Sequence, residues 1–153
     1  ITINRPNETV CLHIEPCTPF FESIRLGQEY NIPVHLIYLD VEKYPRFFDP
    51  LPDTYAIQKI GLKNYYTAIQ SNLFNAPPKS IHDQMRETYM AQMLKGLSFS
   101  YEKILVITGL FHIHGITSQL SLSHFPPLHH AAHIDTSLST YTEESMREIM
   151  ATY

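Results

Sequence analysis

The chain has 153 residues and a formal net charge of −4 at pH 7, and 44% of its residues are hydrophobic and 17% charged. This balance excludes a disordered protein, and the lack of a basic excess argues against nucleic acid or an anionic membrane as a partner. The longest apolar runs, such as ILVI at 104–107, are far shorter than the roughly 20 residues of a membrane span. We therefore expect a cytoplasmic protein in which residues 1–153 form one α/β domain or part of one.

The N-terminal part of the chain predicts a strand, a helix and a second strand. The segment TVCLHIE at 9–15 is β-branched and apolar, and apolar residues at helical spacing follow it between Phe20 and Ile24. The run IPVHLIYLD at 32–40 is apolar almost throughout, which is typical of a strand covered on both faces. These elements predict a βαβ unit with a right-handed crossover, in which Cys11 is a buried free thiol.

The clearest helix of the chain is predicted over 80–97. Ser80 can cap its first turn, and the carboxylate of Asp83 suits the positive end of a helix. Gly96 and the polar residues after it are expected to end the helix. The side buried against the core is predicted from apolar residues that recur every four positions, which are Ile81, Met85, Tyr89, Met93 and Leu97.

The remaining elements complete an alternating pattern. A Pro-rich loop leads to a helix near 54–71, and the apolar run at 103–108 predicts a third strand. After a turn rich in Gly and His, we expect a short helix near 115–122 and a last helix over 142–153. This order predicts a layered α/β fold with a mainly parallel sheet flanked by helices.

Ionisable residues stand at the end of each predicted strand. Glu15 follows the first strand, Asp40 and Glu42 follow the second, and His112 and His114 follow the third. The carboxyl ends of parallel strands meet at one edge of a sheet, and α/β folds bind their ligands there. The pattern therefore predicts a site at this edge, although a solvated strand end also accounts for each acid taken alone.

The segment GLFHIHG at 109–115 has three possible interpretations. An extended His-x-His would send both imidazoles, His112 and His114, to the same side, where they could bind one metal ion. One imidazole could instead act as a general base, because its ordinary pKa lies near neutral pH. In the third reading, Gly109 and Gly115 form a tight turn, His112 satisfies it with a hydrogen bond and His114 is solvated.

Two interpretations of Arg86 are open. Arg86 is either a surface charge in an ion pair or the group that stabilises an oxyanion in a site.

The segment after residue 122 is poor in apolar residues and contains Pro126 and Pro127. We expect most of its histidines to be solvated or at an interface, and not to bind a metal: His124, His129, His130 and His133.

Four motifs, CLHIEP, GQEYNIPVHLIYLDVE, MRETYMAQML and ILVITGLFHIHGI, together resemble the conserved skeleton of the TraB/PrgY and TIKI family. The wider superfamily contains the erythromycin esterases and the ChaN haem-binding lipoproteins. The positions that match the family pattern are Glu15, Asp40, Arg86 and His112. The family's first Gly-x-x-His motif has no counterpart here, so we expect a fragment whose partners include the remainder of a longer chain.

The resemblance implies a hydrolase that acts on an ester or peptide bond of a small-molecule or peptide substrate. In this reading the catalytic residues are Glu15, Asp40, Arg86 and His112. Either His112 is a general base, or Glu15, Asp40, His112 and His114 hold a divalent ion such as zinc, manganese or cobalt. The ChaN and pheromone-shutdown branches imply an alternative function, a module that binds a ligand such as haem or regulates a partner without catalysis.

Overall fold

The computed structural model describes residues 1–11, 18–41, 53, 55–73, 79–127, 134–138, 140 and 142–152. The chain divides into two compact units, one made of Ile1–His35 and His130–Tyr153 and the other of Leu36–His129. Within the described ranges, none of the helices combines the length and apolar character that crossing a membrane requires.

The first unit contains a small antiparallel sheet of three short strands. The strands are β1 (Thr2–Asn4), β2 (Thr9–Cys11) and β3 (Asp135–Ser137), in the order β2-β1-β3. At the middle of the sheet, Ile3 pairs with Val10 on one side and Thr136 on the other. Cys11 is an exposed free thiol, so the prediction of a buried thiol is wrong.

Two helices belong to the same unit, α1 (Pro19–Glu29) and α5 (Glu143–Thr152). The chain leaves α1 through Asn31, whose φ of 52° lies in the left-handed region that short polar residues tolerate. This turn folds the chain back over Gly27, where a Cβ atom would be 2.2 Å from Val34 Cγ2. A residue with a side chain at position 27 would therefore push the returning chain away from the helix.

The described residues of the second unit form three helices, α2 (Ala56–Leu73), α3 (Ile81–Leu97) and α4 (His112–Gln119). Gly61 interrupts α2 with a φ of 78°, which side chains rarely allow. Ser80 caps α3 as predicted, because its hydroxyl accepts the backbone N–H of Asp83 at 3.1 Å. The predicted helices near 54–71, over 80–97 and over 142–153 are confirmed to within two residues at each end.

The helices α3 and α4 pack against each other and form the core that positions the site. Met90 and Leu94 of α3 and Ile116 of α4 are buried together, and Ile37 and Val106 pack against them from the two segments that precede and follow α3. Burial of an aliphatic side chain of this size stabilises a fold by about 1.5–3 kcal/mol. This contact therefore holds α4, and with it His112, against α3.

The predicted mainly parallel sheet flanked by helices is wrong. Of the strand expected over 9–15, the described residues form β2, which is antiparallel to β1. The runs 32–40 and 103–108 form no strand at all in this structure, although both are fully described. Over the described ranges the architecture is a mixture of helices with one small antiparallel sheet.

The physical reason is that an apolar run does not by itself specify strand pairing. Ile37 and Val106 bury their side chains against the helices, as strand residues would. Leu36 and Leu105 next to them are 78% and 87% exposed, so among the described residues no second layer covers these two side chains. A few apolar residues of each run thus pack on helices without forming a sheet, while most of the others are exposed.

The buried face of α3 also differs from the prediction. Ile81 is 64% exposed, and the other members of the predicted stripe are only partly buried. The face that packs inward consists of Asp83, Arg86, Glu87, Thr88, Met90, Ala91 and Leu94. Its first turns bury charged groups: Asp83 and Arg86 pair with each other, and Glu87 pairs with Lys79 and His112 outside the helix. The hydrophobicity of the residues therefore does not mark this face.

Candidate functional site

A buried carboxylate, that of Glu87, lies at the centre of the candidate site. Its side chain is 3% exposed, and its Oε1 atom accepts a hydrogen bond from Lys79 Nζ and lies 3.2 Å from His112 Nδ1. An ionised carboxylate is costly to bury unless charged or polar partners compensate for the lost water. Lys79 and His112 supply these partners from the two sides of the α3–α4 contact.

Gly115 makes room for this carboxylate. A Cβ atom at Gly115 would be 1.8 Å from Glu87 Oε2 and 2.1 Å from its Cδ, which no side chain could accommodate without movement. The second glycine of GLFHIHG therefore serves close packing between helices. Because the carboxylate lies against the first turn of α4, it also meets the positive end of the helix dipole.

Lys79 links the carboxylate to the start of α4. Its Nζ atom donates to Glu87 Oε1 and also to the carbonyl oxygen of Phe111 at 2.9 Å. Phe111 is the residue immediately before α4. The lysine thus fixes the point at which α4 begins, and His112 is the first residue of that helix.

The geometry determines the tautomer of His112. A carboxylate can only accept, so Nδ1 carries the hydrogen that faces Glu87. Among the described residues, none forms a hydrogen bond with the other ring nitrogen, Nε2. The side chain is 13% exposed, so a neutral His112 offers the Nε2 lone pair from a largely buried ring. This is the arrangement that a histidine general base requires.

A second polar network lies beside the first and is centred on Arg86. Its Nη2 atom donates to Asp83 Oδ1, and its Nη1 atom donates to the hydroxyl oxygen of Tyr38. Asp83 also accepts the hydroxyl of Ser80 at 2.6 Å. The side chains of Asp83 and Arg86 are both buried, so each charge is compensated by the other.

The two networks meet at the ring of Tyr38. This ring contacts His112 in an edge-to-face arrangement, with 5.9 Å between ring centres and an angle of 69° between the planes. The same ring has the guanidinium carbon of Arg86 at 5.3 Å from its centre. Tyr38 therefore connects two of the residues singled out in the sequence, although they are 26 positions apart.

The surroundings shift the pKa of two groups in opposite directions. Burial raises the pKa of Asp83, but the hydrogen bond from Ser80 and the positive charge of Arg86 lower it by more. His112 also contributes to the lowering, so the pKa of Asp83 lies below its ordinary value. Burial likewise raises the pKa of Tyr38, and the opposing effect of Arg86 does not cancel it. Asp83 is therefore ionised and Tyr38 protonated at neutral pH.

The structure brings together some of the predicted site residues. Arg86 and His112 converge on Tyr38, and Asp40 is partly buried two residues beyond Tyr38. Glu15 lies outside the described residues. His114 is exposed, because residues 112–119 are helical and positions two apart on a helix differ by about 200° in direction. The expectation that an extended His-x-His points both rings to one side is wrong.

The metal prediction stays a prediction, because Glu15, one of its four ligands, lies outside the described residues. Across the described ranges, no group of three or more His, Cys, Asp or Glu side chains is placed to hold a metal ion. His112 directs one nitrogen to Glu87, and His114 is on another side of α4. Of the later histidines, His124 is exposed as expected, and His129, His130 and His133 lie outside the described residues.

Sequence reasoning missed Lys79, Glu87 and Tyr38. One signal for Glu87 was present, because it lies three and seven positions before the apolar residues Met90 and Leu94 and therefore on the same side of a helix. Comparisons of the chain with protein-family models, with curated proteins and with solved structures found no match.

Proposed function

We propose that the protein is a hydrolase that cleaves carboxylic esters, with His112 as the general base. The observation that carries the proposal is the contact between His112 Nδ1 and the buried carboxylate of Glu87. It fixes the ring and leaves Nε2 as the basic atom. An ester suits this site because its leaving alkoxide departs more readily than an amine and needs no metal ion to activate it. The resemblance to the erythromycin esterases agrees with this choice.

The chemistry would take place in two steps at Nε2. His112 removes a proton from a water molecule while the water oxygen bonds to the ester carbonyl carbon and the carbonyl electron pair moves onto its oxygen. The intermediate then reforms the carbonyl, the bond to the alkoxide breaks, and the imidazolium returns its proton to that alkoxide. The products are an acid and an alcohol, and His112 is neutral again.

Glu87 and Lys79 are positioning residues in this reaction. The negative charge of Glu87 stabilises the imidazolium that forms when His112 takes the proton, and its direction keeps the hydrogen on Nδ1. Lys79 holds Glu87 and the first residues of α4 in one arrangement through its bonds to Oε1 and to the Phe111 carbonyl. The two residues act through His112 and need not touch the substrate.

The proposal includes a location in the cytoplasm. Cys11 is an exposed free thiol, and exposed thiols persist most readily in a reducing compartment. A small-molecule or peptide ester remains the proposed substrate class.

The test compares two histidines two positions apart. The purified protein is assayed with a series of p-nitrophenyl and aryl esters, and the best substrate is used to compare His112→Ala with His114→Ala. We expect His112→Ala to lower kcat by roughly 10²-fold or more, while the exposed His114 can be replaced with little effect. Dialysis against EDTA should leave the activity unchanged. Equal activity per folded molecule in His112→Ala and the unaltered protein would refute the proposal.

A further inference from the structure

The hydroxyl of Tyr38 has a hydrogen with no partner in the described part of the chain. A tyrosine hydroxyl can both donate and accept, but a guanidinium can only donate. The hydroxyl oxygen must therefore accept the bond from Arg86 Nη1. Its own hydrogen is then directed elsewhere, and no described residue accepts it.

The hydroxyl belongs to a partly exposed ring that contacts the ring of the proposed general base. The ring of Tyr38 contacts the ring of His112, and Tyr38 is 44% exposed. A tyrosine hydroxyl is ordinarily protonated at neutral pH, and burial raises the pKa of Tyr38 further. Arg86 is buried and bound to Asp83, so it holds the phenol oxygen in place without being able to take up its hydrogen.

We propose that Tyr38 is a catalytic residue, which donates its hydroxyl hydrogen to the oxyanion formed when water attacks the ester carbonyl. The inference rests on the proposed function, since it names the group that stabilises the charge produced by His112. When the carbonyl electron pair moves onto oxygen, that oxygen accepts a hydrogen bond from Tyr38. The proton stays on Tyr38, so the hydroxyl is unchanged after the carbonyl reforms.

The positive charge of Arg86 strengthens this donor. An N–H bond to the phenol oxygen draws electron density from it, so its hydrogen becomes a better donor. A donor that is already oriented needs no rearrangement as the charge develops. For this reason a single oxyanion donor contributes roughly 10²–10³-fold to kcat in other hydrolytic enzymes.

The test uses the best ester substrate and the variant Tyr38→Phe, which keeps the ring against His112 and removes only the hydroxyl. The matched control is Tyr66→Phe in α2, which removes a hydroxyl that accepts one N–H bond, from Gln70 at 2.9 Å. We expect Tyr38→Phe to lower kcat by roughly 10²-fold with little change in KM. We expect Tyr66→Phe to remain within about twofold of the unaltered protein. Melting curves establish the folded fraction of each.

A second variant covers the case in which Tyr38→Phe folds poorly. Incorporation of 3,5-difluorotyrosine at position 38 preserves the hydroxyl and its bond to Arg86 but lowers the phenol pKa. If the protonated hydroxyl is needed, the alkaline limit of kcat, which is the pH above which kcat falls, should move to lower pH.

The outcomes separate the two proposals. Loss of activity in His112→Ala with full activity in Tyr38→Phe, or an alkaline limit that the fluorinated residue leaves unchanged, would overturn the role of Tyr38 alone. Full activity in His112→Ala would overturn the proposed function as well.

Discussion

The carboxylate of Glu87 lies directly against the backbone of Gly115, since a Cβ atom at that glycine would be 1.8 Å from Glu87 Oε2. The contact brings the acidic centre of α3 to the first turn of α4. It also explains why a glycine follows the two histidines of GLFHIHG at a helical position, where glycine is otherwise unfavourable.

Gly115→Ala should destabilise the protein. Alanine gains about 1 kcal/mol over glycine in a helix, but overpacking a filled interior costs about 1–3 kcal/mol, and here the obstacle is a buried charge held by Lys79 and His112. The net loss should appear in denaturant unfolding. Gly96→Ala in α3 is the control, because nothing lies within 4 Å of its Cβ position, and it should leave stability unchanged or increase it.

The replacement Lys79→Met should lower stability by about 1–3 kcal/mol, because it removes one partner of the buried Glu87 carboxylate. A double-mutant cycle with Glu87→Gln measures the coupling, which should be of similar size. Lys63→Met changes an exposed lysine of α2 and should have almost no effect. Additive effects of Lys79→Met and Glu87→Gln would show that the pair does not stabilise the fold.

Asp83 should make stability depend on acidic pH. Its pKa in the folded protein is lowered, so its contribution is fully present above the unfolded value of about 4 and is lost as pH falls through the folded pKa. The difference in unfolding free energy between the unaltered protein and Asp83→Asn should therefore shrink below about pH 4. In Ser80→Ala, which removes a bond that lowers this pKa, the loss should be smaller and should be complete at a higher pH. A difference that is constant from pH 7 to pH 2 would contradict the assignment.

Local signals in the sequence predicted the helices well, and the sheet badly. Ser80 and Asp83 identify the start of α3 because capping involves residues only three positions apart. Strand pairing depends on distant partners, and the apolar runs at 32–40 and 103–108 carry no information about whether such partners exist. In the structure Ile37 and Val106 of these runs pack on helices instead, which their hydrophobicity permits equally.

The candidate site was predictable only in part for a related reason. Arg86 and His112 stand out as ionisable residues in otherwise apolar or helical surroundings. Glu87 looks like half of a solvated pair, and Tyr38 looks like one more apolar residue of a strand. Their roles depend on the contact between α3 and α4 and on the path of residues 36–41, which sequence spacing does not give.

The corrected face of α3 leads to a last prediction, on Met90 and Ile81. Met90 is 1% exposed and packs with Leu94 and Ile116, whereas Ile81, the first member of the predicted stripe, is 64% exposed. Met90→Ala should therefore cost about 2–5 kcal/mol through lost burial and the cavity that it leaves. Ile81→Ala should change the free energy of unfolding by less than about 0.5 kcal/mol.

Both replacements are to alanine within one helix, so a difference in helix propensity cannot explain a result of this size. Urea unfolding of the two variants measures the difference between their free energies of unfolding. The slope of that free energy against urea concentration checks that the unfolded state is unchanged. Because Met90 lies one turn after Glu87 on the same side of α3, its loss should also loosen the packing that holds His112. We therefore expect Met90→Ala to lower ester hydrolysis per folded molecule, and Ile81→Ala to leave it unchanged. A larger loss of stability in Ile81→Ala than in Met90→Ala would contradict this prediction and support the buried face predicted from the sequence.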